Sequence, residues 1–95
     1  MKKIIAVVAD GFEETELIGT IDCLRRLNVG VTIAGLENSE LNGAHNITLR
    51  ADALLDELTP EDFDAIFLPG GFNSIFININ NNSSCILLFI FIITI

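Results

Sequence analysis

Basic residues are scarce in this chain: five Lys and Arg stand against thirteen Asp and Glu, a formal net charge of −8 over 95 residues. A chain of that sign has no electrostatic footprint for a phosphate backbone, so nucleic acid is not an expected partner. Cysteine is scarcer still. Cys23 and Cys85 lie far apart, with no CxxC pair and no Cys/His cluster. Neither a disulfide scaffold nor a zinc site is therefore encoded, no metal is expected, and a reducing, cytoplasmic setting follows. Neither GxGxxG nor a P-loop glycine pattern occurs, which sets aside a nucleotide-binding Rossmann or P-loop protein and leaves no cofactor implied. Long apolar runs are missing too. The longest, Cys85 to Ile95, is broken only by Thr94 and falls short of the roughly 20 residues a helix needs to span a bilayer. The opening Met1-Lys2-Lys3 before Ile4–Ala9 imitates a secretory leader, but the run is short and Asp10 closes it without a small-residue cleavage site. Without a secretory route, the glycosylation sequons at Asn46, Asn81 and Asn82 carry no meaning.

What is present is unevenly distributed. Every Lys, Arg, Asp and Glu lies between Lys2 and Asp64, while Phe72 to Ile95 is built almost wholly from Ile, Phe, Leu, Asn and Ser. A composition of 51% apolar and 19% charged residues supports one small core. We therefore expect residues 1–71 to form the folded part and residues 72–95 to be an uncharged, low-complexity apolar tail outside it. The alternative for the last eleven residues is a buried strand, since they are rich in β-branched and aromatic types.

Residues 1–71 read as alternating strands and helices. Ile4–Val8 is the uninterrupted apolar run of a parallel strand covered on both faces. Leu17, Ile21, Leu24 and Leu27 share one helical stripe, which predicts an amphipathic helix over Glu14–Leu27. Its first turn is acidic and its last carries Arg25 and Arg26, the order the helix dipole favours. Asn28 and Gly30 stop it. Val31–Ala34 is a second strand, and Ile47–Leu49 a short candidate at the edge. Thr59-Pro60-Glu61-Asp62 starts a helical turn. Ala65–Leu68 is another buried strand, closed by Pro69-Gly70-Gly71.

This order opens an α/β fold, and the expected class is the N-terminal half of a truncated flavodoxin-like, doubly wound parallel sheet in a three-layer sandwich. In that topology the first strand lies between the second and the Ala65–Leu68 strand. Ligands bind outside the carboxyl ends of strands at such a switch point. Two loops meet there, Asp10–Glu16 and Pro69–Gly71. Crowded carboxylates in the first would raise one another's pKa and favour a protonated acid, for which Glu16 is the candidate. Plain decoration of a helix N-terminus is the competing reading of Glu13, Glu14 and Glu16. Gly70 and Gly71 can turn backbone N–H groups toward a developing oxyanion, or simply make a turn. His45 reads as a solvated loop histidine. Cys23, beside the apolar stripe, reads as a small buried hydrophobe.

Four blocks of the sequence, in order and spacing, carry a resemblance. They are Val7-Val8-Ala9-Asp10-Gly11-Phe12-Glu13-Glu14-Thr15-Glu16, Ile21-Asp22-Cys23-Leu24-Arg25-Arg26, Val31-Thr32-Ile33-Ala34-Gly35-Leu36 and Asp64-Ala65-Ile66-Phe67-Leu68-Pro69-Gly70-Gly71. Asn46–Asp52 also resembles a segment ending in Ala-Asp. Residues 1–71 resemble the opening of the ThiJ/PfpI family, in its parkinsonism-associated protein deglycase branch of the glutamine amidotransferase-like superfamily. The resemblance implies a homodimer acting on small aldehydes and glyoxals, as a glutathione-independent glyoxalase or protein deglycase in oxidative-stress defence. It implies that Glu16 is the acid that hydrogen-bonds a nucleophilic cysteine, and that Gly70 and Gly71 form the turn lining the site.

The family's nucleophile lies at a strand-to-helix elbow beyond the Pro-Gly-Gly turn, and this chain has the uncharged tail there instead. Cys85, between Ser84 and Ile86, lacks the small-residue flank and any cation that would lower its pKa, and reads as a chance cysteine. The expectation is a catalytically silent chain, or alternatively a non-catalytic dimerisation or binding module that pairs with a full-length relative. A phosphoacceptor receiver domain shares the opening of the fold but needs an aspartate where Leu68 stands.

Overall fold

The computed structural model describes residues 1–70 and the backbone of residues 91–94. Six strands and one helix occupy residues 1–70: β1 (Lys3–Val8), α1 (Glu14–Arg26), β2 (Gly30–Gly35), β3 (Glu40–Asn42), β4 (Thr48–Arg50), β5 (Ala53–Leu54) and β6 (Ala65–Leu68). Two 3-10 turns, Leu55–Glu57 and Pro60–Asp62, link β5 to β6, and β7 (Phe91–Thr94) follows. The sheet runs β5-β2-β1-β6-β7. β1 pairs parallel with both β2 and β6, with Ile4 opposite Val31 and Ala65. This is the expected switch-point topology, with the crossovers leaving β1 toward opposite edges. β7 pairs antiparallel with β6, Phe91 opposite Leu68.

Alternation along β1 explains why its run is apolar throughout. Ile4, Ala6 and Val8 face α1 and pack with Phe12, Leu17, Ile21, Val31, Leu41 and Phe67. Ile5 and Val7 face the other way, with Ala34. Both faces of a central parallel strand must be covered, so neither parity can be polar. The faces are not equally covered. On the second face, the layer among the described residues consists of half-buried side chains such as Leu36, Leu58, Phe63 and Ile66. β6 shows the same asymmetry, with Ala65 and Phe67 buried and Ile66 and Leu68 half-buried. Apolar surface covered this thinly predicts self-association. Sedimentation of the purified chain in dilute buffer is expected to show species larger than a monomer, and a monodisperse monomer would count against the expectation.

Several local expectations need correction. Cys23 is exposed rather than buried: it stands two residues beyond the buried Ile21, about 200° round the helix at 100° per residue. The helix also ends at Arg26, one residue early, so Leu27 leaves the stripe and is 74% exposed. Asn28 makes this stop alone, in the left-handed region at φ 63, while Gly30 already belongs to β2. The edge candidate Ile47–Leu49 is displaced by one residue to Thr48–Arg50, where it pairs antiparallel with β3, a strand too short to show a period in sequence. The Thr59 turn forms as a 3-10 turn with Pro60 at its first position, but the Thr59 side chain makes no cap bond. Because Cys23 is exposed, a maleimide probe is expected to label it in the native protein about as fast as in denaturant. Peptide mapping reads this, and strong native protection would contradict the placement.

Candidate functional site

The chain leaves β1 at the carboxyl edge of the sheet and turns at Gly11, whose φ of 87 suits glycine. The Gly11 N–H donates to the Asn42 carbonyl at 2.7 Å, and the Ala44 N–H to the Phe12 carbonyl at 2.8 Å. The β3–β4 hairpin is thereby laced onto the segment that opens α1. On the other side the Glu13 N–H donates to the Gly70 carbonyl at 2.9 Å. The two loops expected at the switch point do meet, and Gly70 sits against the first turn of α1. Gly71 and Cys85 lie outside the described residues.

The three carboxylates of this turn have separate tasks. Glu13 is the N-cap: its oxygens accept from the Thr15 N–H at 3.1 Å and the Glu16 N–H at 2.9 Å, satisfying donors that a helix start leaves unpaired. Glu14 points away from the helix and is buried. Its Oε2 accepts from the backbone N–H of His45 at 2.7 Å and of Ile47 at 3.3 Å. The His45 ring Nδ1 stands 3.1 Å from Glu14 Oε1. Burial pushes the Glu14 carboxyl up, but hydrogen bonds from its own backbone N–H and from His45 and Ile47 outweigh it and lower it to about 2. Its carboxylate also occupies the space where a side chain at Gly43 would begin.

Glu16 behaves in the opposite way. It is 6% exposed, and its Oε1 has no hydrogen-bond partner among the described residues. Burial raises its pKa first, the neighbouring Glu13 charge adds to the rise, and a backbone hydrogen bond from Gly70 opposes it. Desolvation, rather than the crowding of carboxylates, is the larger cause. A carboxyl raised in the folded state is discharged more readily than in the unfolded chain, so folding is favoured below the ordinary glutamate pKa. The penalty then appears as pH rises through the ordinary value toward the folded one. Glu16→Gln is accordingly expected to melt a few degrees higher than the parent at pH 7, with the difference vanishing below about pH 4.5. Thermal melts across that range check this.

His45 is solvated, its side chain 76% exposed, as its polar setting suggests, but it is also tied to Glu14. Oxygens of Glu13 and Glu14 and a His45 ring nitrogen lie within 4.8 Å of one another. Glu13 is engaged by helix N–H groups and Glu14 by loop N–H groups, so this cluster reads as a structural clasp. No helix among the described residues is long and apolar enough to cross a membrane.

A parallel sheet with an acid-bearing turn at its switch point invites comparison with known proteins. A profile of the DJ-1/PfpI family matches residues 2–83. The chain belongs to this family. Among curated DJ-1/PfpI relatives, a protein named deglycase from Thermococcus kodakarensis is 36% identical over 69 residues, covering 73% of this chain and 42% of that protein. Protein DJ-1 homolog A of Arabidopsis thaliana is 43% identical over 72 residues, covering 75% of this chain and 18% of its own length. The crystal structure of a mutant DJ-1 superfamily protein from Salmonella typhimurium superposes with a TM-score of 0.73 at 41% identity, covering 78% of this chain and 40% of that one. The chain thus spans less than half the length of these DJ-1/PfpI proteins. The resemblance to the ThiJ/PfpI opening and the flavodoxin-like class are both borne out.

Proposed function

We propose that residues 1–71 are the acid-bearing half of a DJ-1/PfpI site for small aldehydes, with residues 72–95 an appended tail, and that this chain is catalytically silent. The observation that carries the reading is Glu16: a buried carboxyl with an unpaired oxygen among the described residues, held against Gly70 at the sheet switch point. Such a group keeps its proton to higher pH than an ordinary glutamate and can donate it to a thiolate or an oxyanion. The Gly70 N–H is engaged by the Glu16 carboxyl, and Gly71 is the candidate of the Pro69-Gly70-Gly71 turn to orient the carbonyl oxygen. Covalent capture of an aldehyde carbon needs a nucleophile as well. Cys23 is exposed two turns along α1 from Glu16, and Cys85 stands in a sequence without a cation to ionise it. The deglycase name among the relatives supports glycated groups as the substrate class, and glyoxals in a cytoplasmic, oxidative-stress setting are what the sequence resemblance implies.

A second reading rests on two exposed apolar side chains. Ile18 on α1 is 47% exposed and Ile47 in the hairpin 49%, which suits a dimerisation module pairing with itself or a full-length relative. One preparation separates the two: methylglyoxal consumption reads catalysis, and sedimentation reads self-association. No consumption is expected. Steady consumption would overturn the reading of a silent site.

A further inference from the structure

We propose that Glu14 is a positioning residue for Glu16: its buried carboxylate clasps the 43–47 loop and so fixes the turn of α1 from which Glu16 meets Gly70. The inference rests on the reading of Glu16 as the acid of the site. The first turn of α1 is held at two points. Glu13 ties it to Gly70 through a backbone bond, and Glu14 ties it to the hairpin through the His45 and Ile47 N–H groups. The carboxylate lies against the loop backbone at Gly43, in the space that a side chain there would take. Part-buried N–H groups left without an acceptor are costly, so ionised Glu14 adds the 43–47 loop to the hairpin that the Gly11–Asn42 and Ala44–Phe12 backbone bonds already tie to the start of α1. If the clasp opens, water reaches the first turn and the desolvation of Glu16 is lost. The other charged groups facing the clasp are Glu13, the His45 ring and Asp10, whose Oδ1 accepts from the Asn42 N–H at 2.9 Å.

The test follows the side-chain carboxyl carbons of the full chain by NMR as pH is varied, alongside amide hydrogen exchange. Glu14→Asp keeps the charge but shortens the reach, and Gly43→Ala displaces the carboxylate while leaving Glu14 intact. In both, the Glu16 midpoint is expected to move down toward the ordinary glutamate value. The Ile47 amide should exchange on the order of tenfold faster or more, as loss of a charge-assisted bond implies. His45→Ala removes the ring but keeps the loop amides, and should leave the Glu16 midpoint in place. The proposal is overturned if Glu16 titrates unchanged in both variants, or if His45→Ala shifts it as much as Glu14→Asp, which would point to charge alone. Should the variants unfold, the parent decides: His45 and Ile47 amides protected like the first turn of α1 support the clasp, and open-chain exchange rates overturn it. An ordinary Glu16 midpoint in the parent is a different result, and sinks the reading of Glu16 as the acid.

Discussion

Gly43→Ala is expected to destabilise the protein by about 1–3 kcal/mol, the usual range for overpacking a filled site. The added methyl would begin where the Glu14 carboxylate lies, and neither group can yield freely. Moving the carboxylate breaks its bonds to the His45 and Ile47 amides, while moving the loop strains the Gly43 N–H bond to the Ile47 carbonyl at 2.8 Å. In a domain this small such a loss is a large share of the total stability. The acid limb of the stability curve should change as well. Glu14 is lowered to about 2 in the folded protein, so its contribution is complete above the ordinary glutamate pKa and is lost as pH falls toward 2. In Gly43→Ala that contribution is reduced, and the fall in stability between about pH 4.5 and 2 should be shallower than in the parent. Urea titrations at a series of pH values read both effects, and a variant as stable as the parent at pH 7 would show that the carboxylate is not seated as described.

How much of this was legible beforehand follows from the range of the interactions. Strands β1 and β6 and helix α1 could be read because their signals are local: an apolar run in Ile4–Val8, a stripe through Leu17 and Ile21, a Pro-Gly-Gly stop after Leu68. Their order then fixed the switch point and brought Glu16 toward Gly70. Cys23 was misread because its neighbours in sequence belong to the stripe while its angle on the helix does not. β3 escaped because Glu40–Asn42 is held by groups distant in sequence: its partner strand, the Asp10–Gly11 turn and the core around Leu41. The division of labour among Glu13, Glu14 and Glu16 was not visible either, since three acids at a helix start look alike until one meets His45, a residue 31 positions away. The glycine at Gly43 was the one trace of that contact in the sequence, and a glycine in a polar connection has many ordinary explanations.

The second large effect is catalytic. On the proposed reading Glu16 would exchange a proton and the Pro69-Gly70-Gly71 turn would line the site, but neither bonds to an aldehyde carbon. Where a nucleophile is removed from an otherwise intact site, rates commonly fall by several orders of magnitude, and the remaining groups recover only part of the loss. In this chain the two thiols are Cys23, exposed on α1, and Cys85, in an uncharged stretch. Cys85 has no cation among residues 72–95 to favour its thiolate, and Cys23 stands exposed two turns along α1 from Glu16. The relative named deglycase from Thermococcus kodakarensis matches this chain over 69 residues, 42% of that protein's length.

The most direct measurement is methylglyoxal consumption by the purified chain beside its Glu16→Gln and Cys85→Ser variants, each checked for folding by circular dichroism. All three are expected to match the buffer rate. Turnover by the parent that both substitutions abolish would identify Cys85 as a nucleophile working with Glu16, and would contradict the account of this chain as an acid half-site without one.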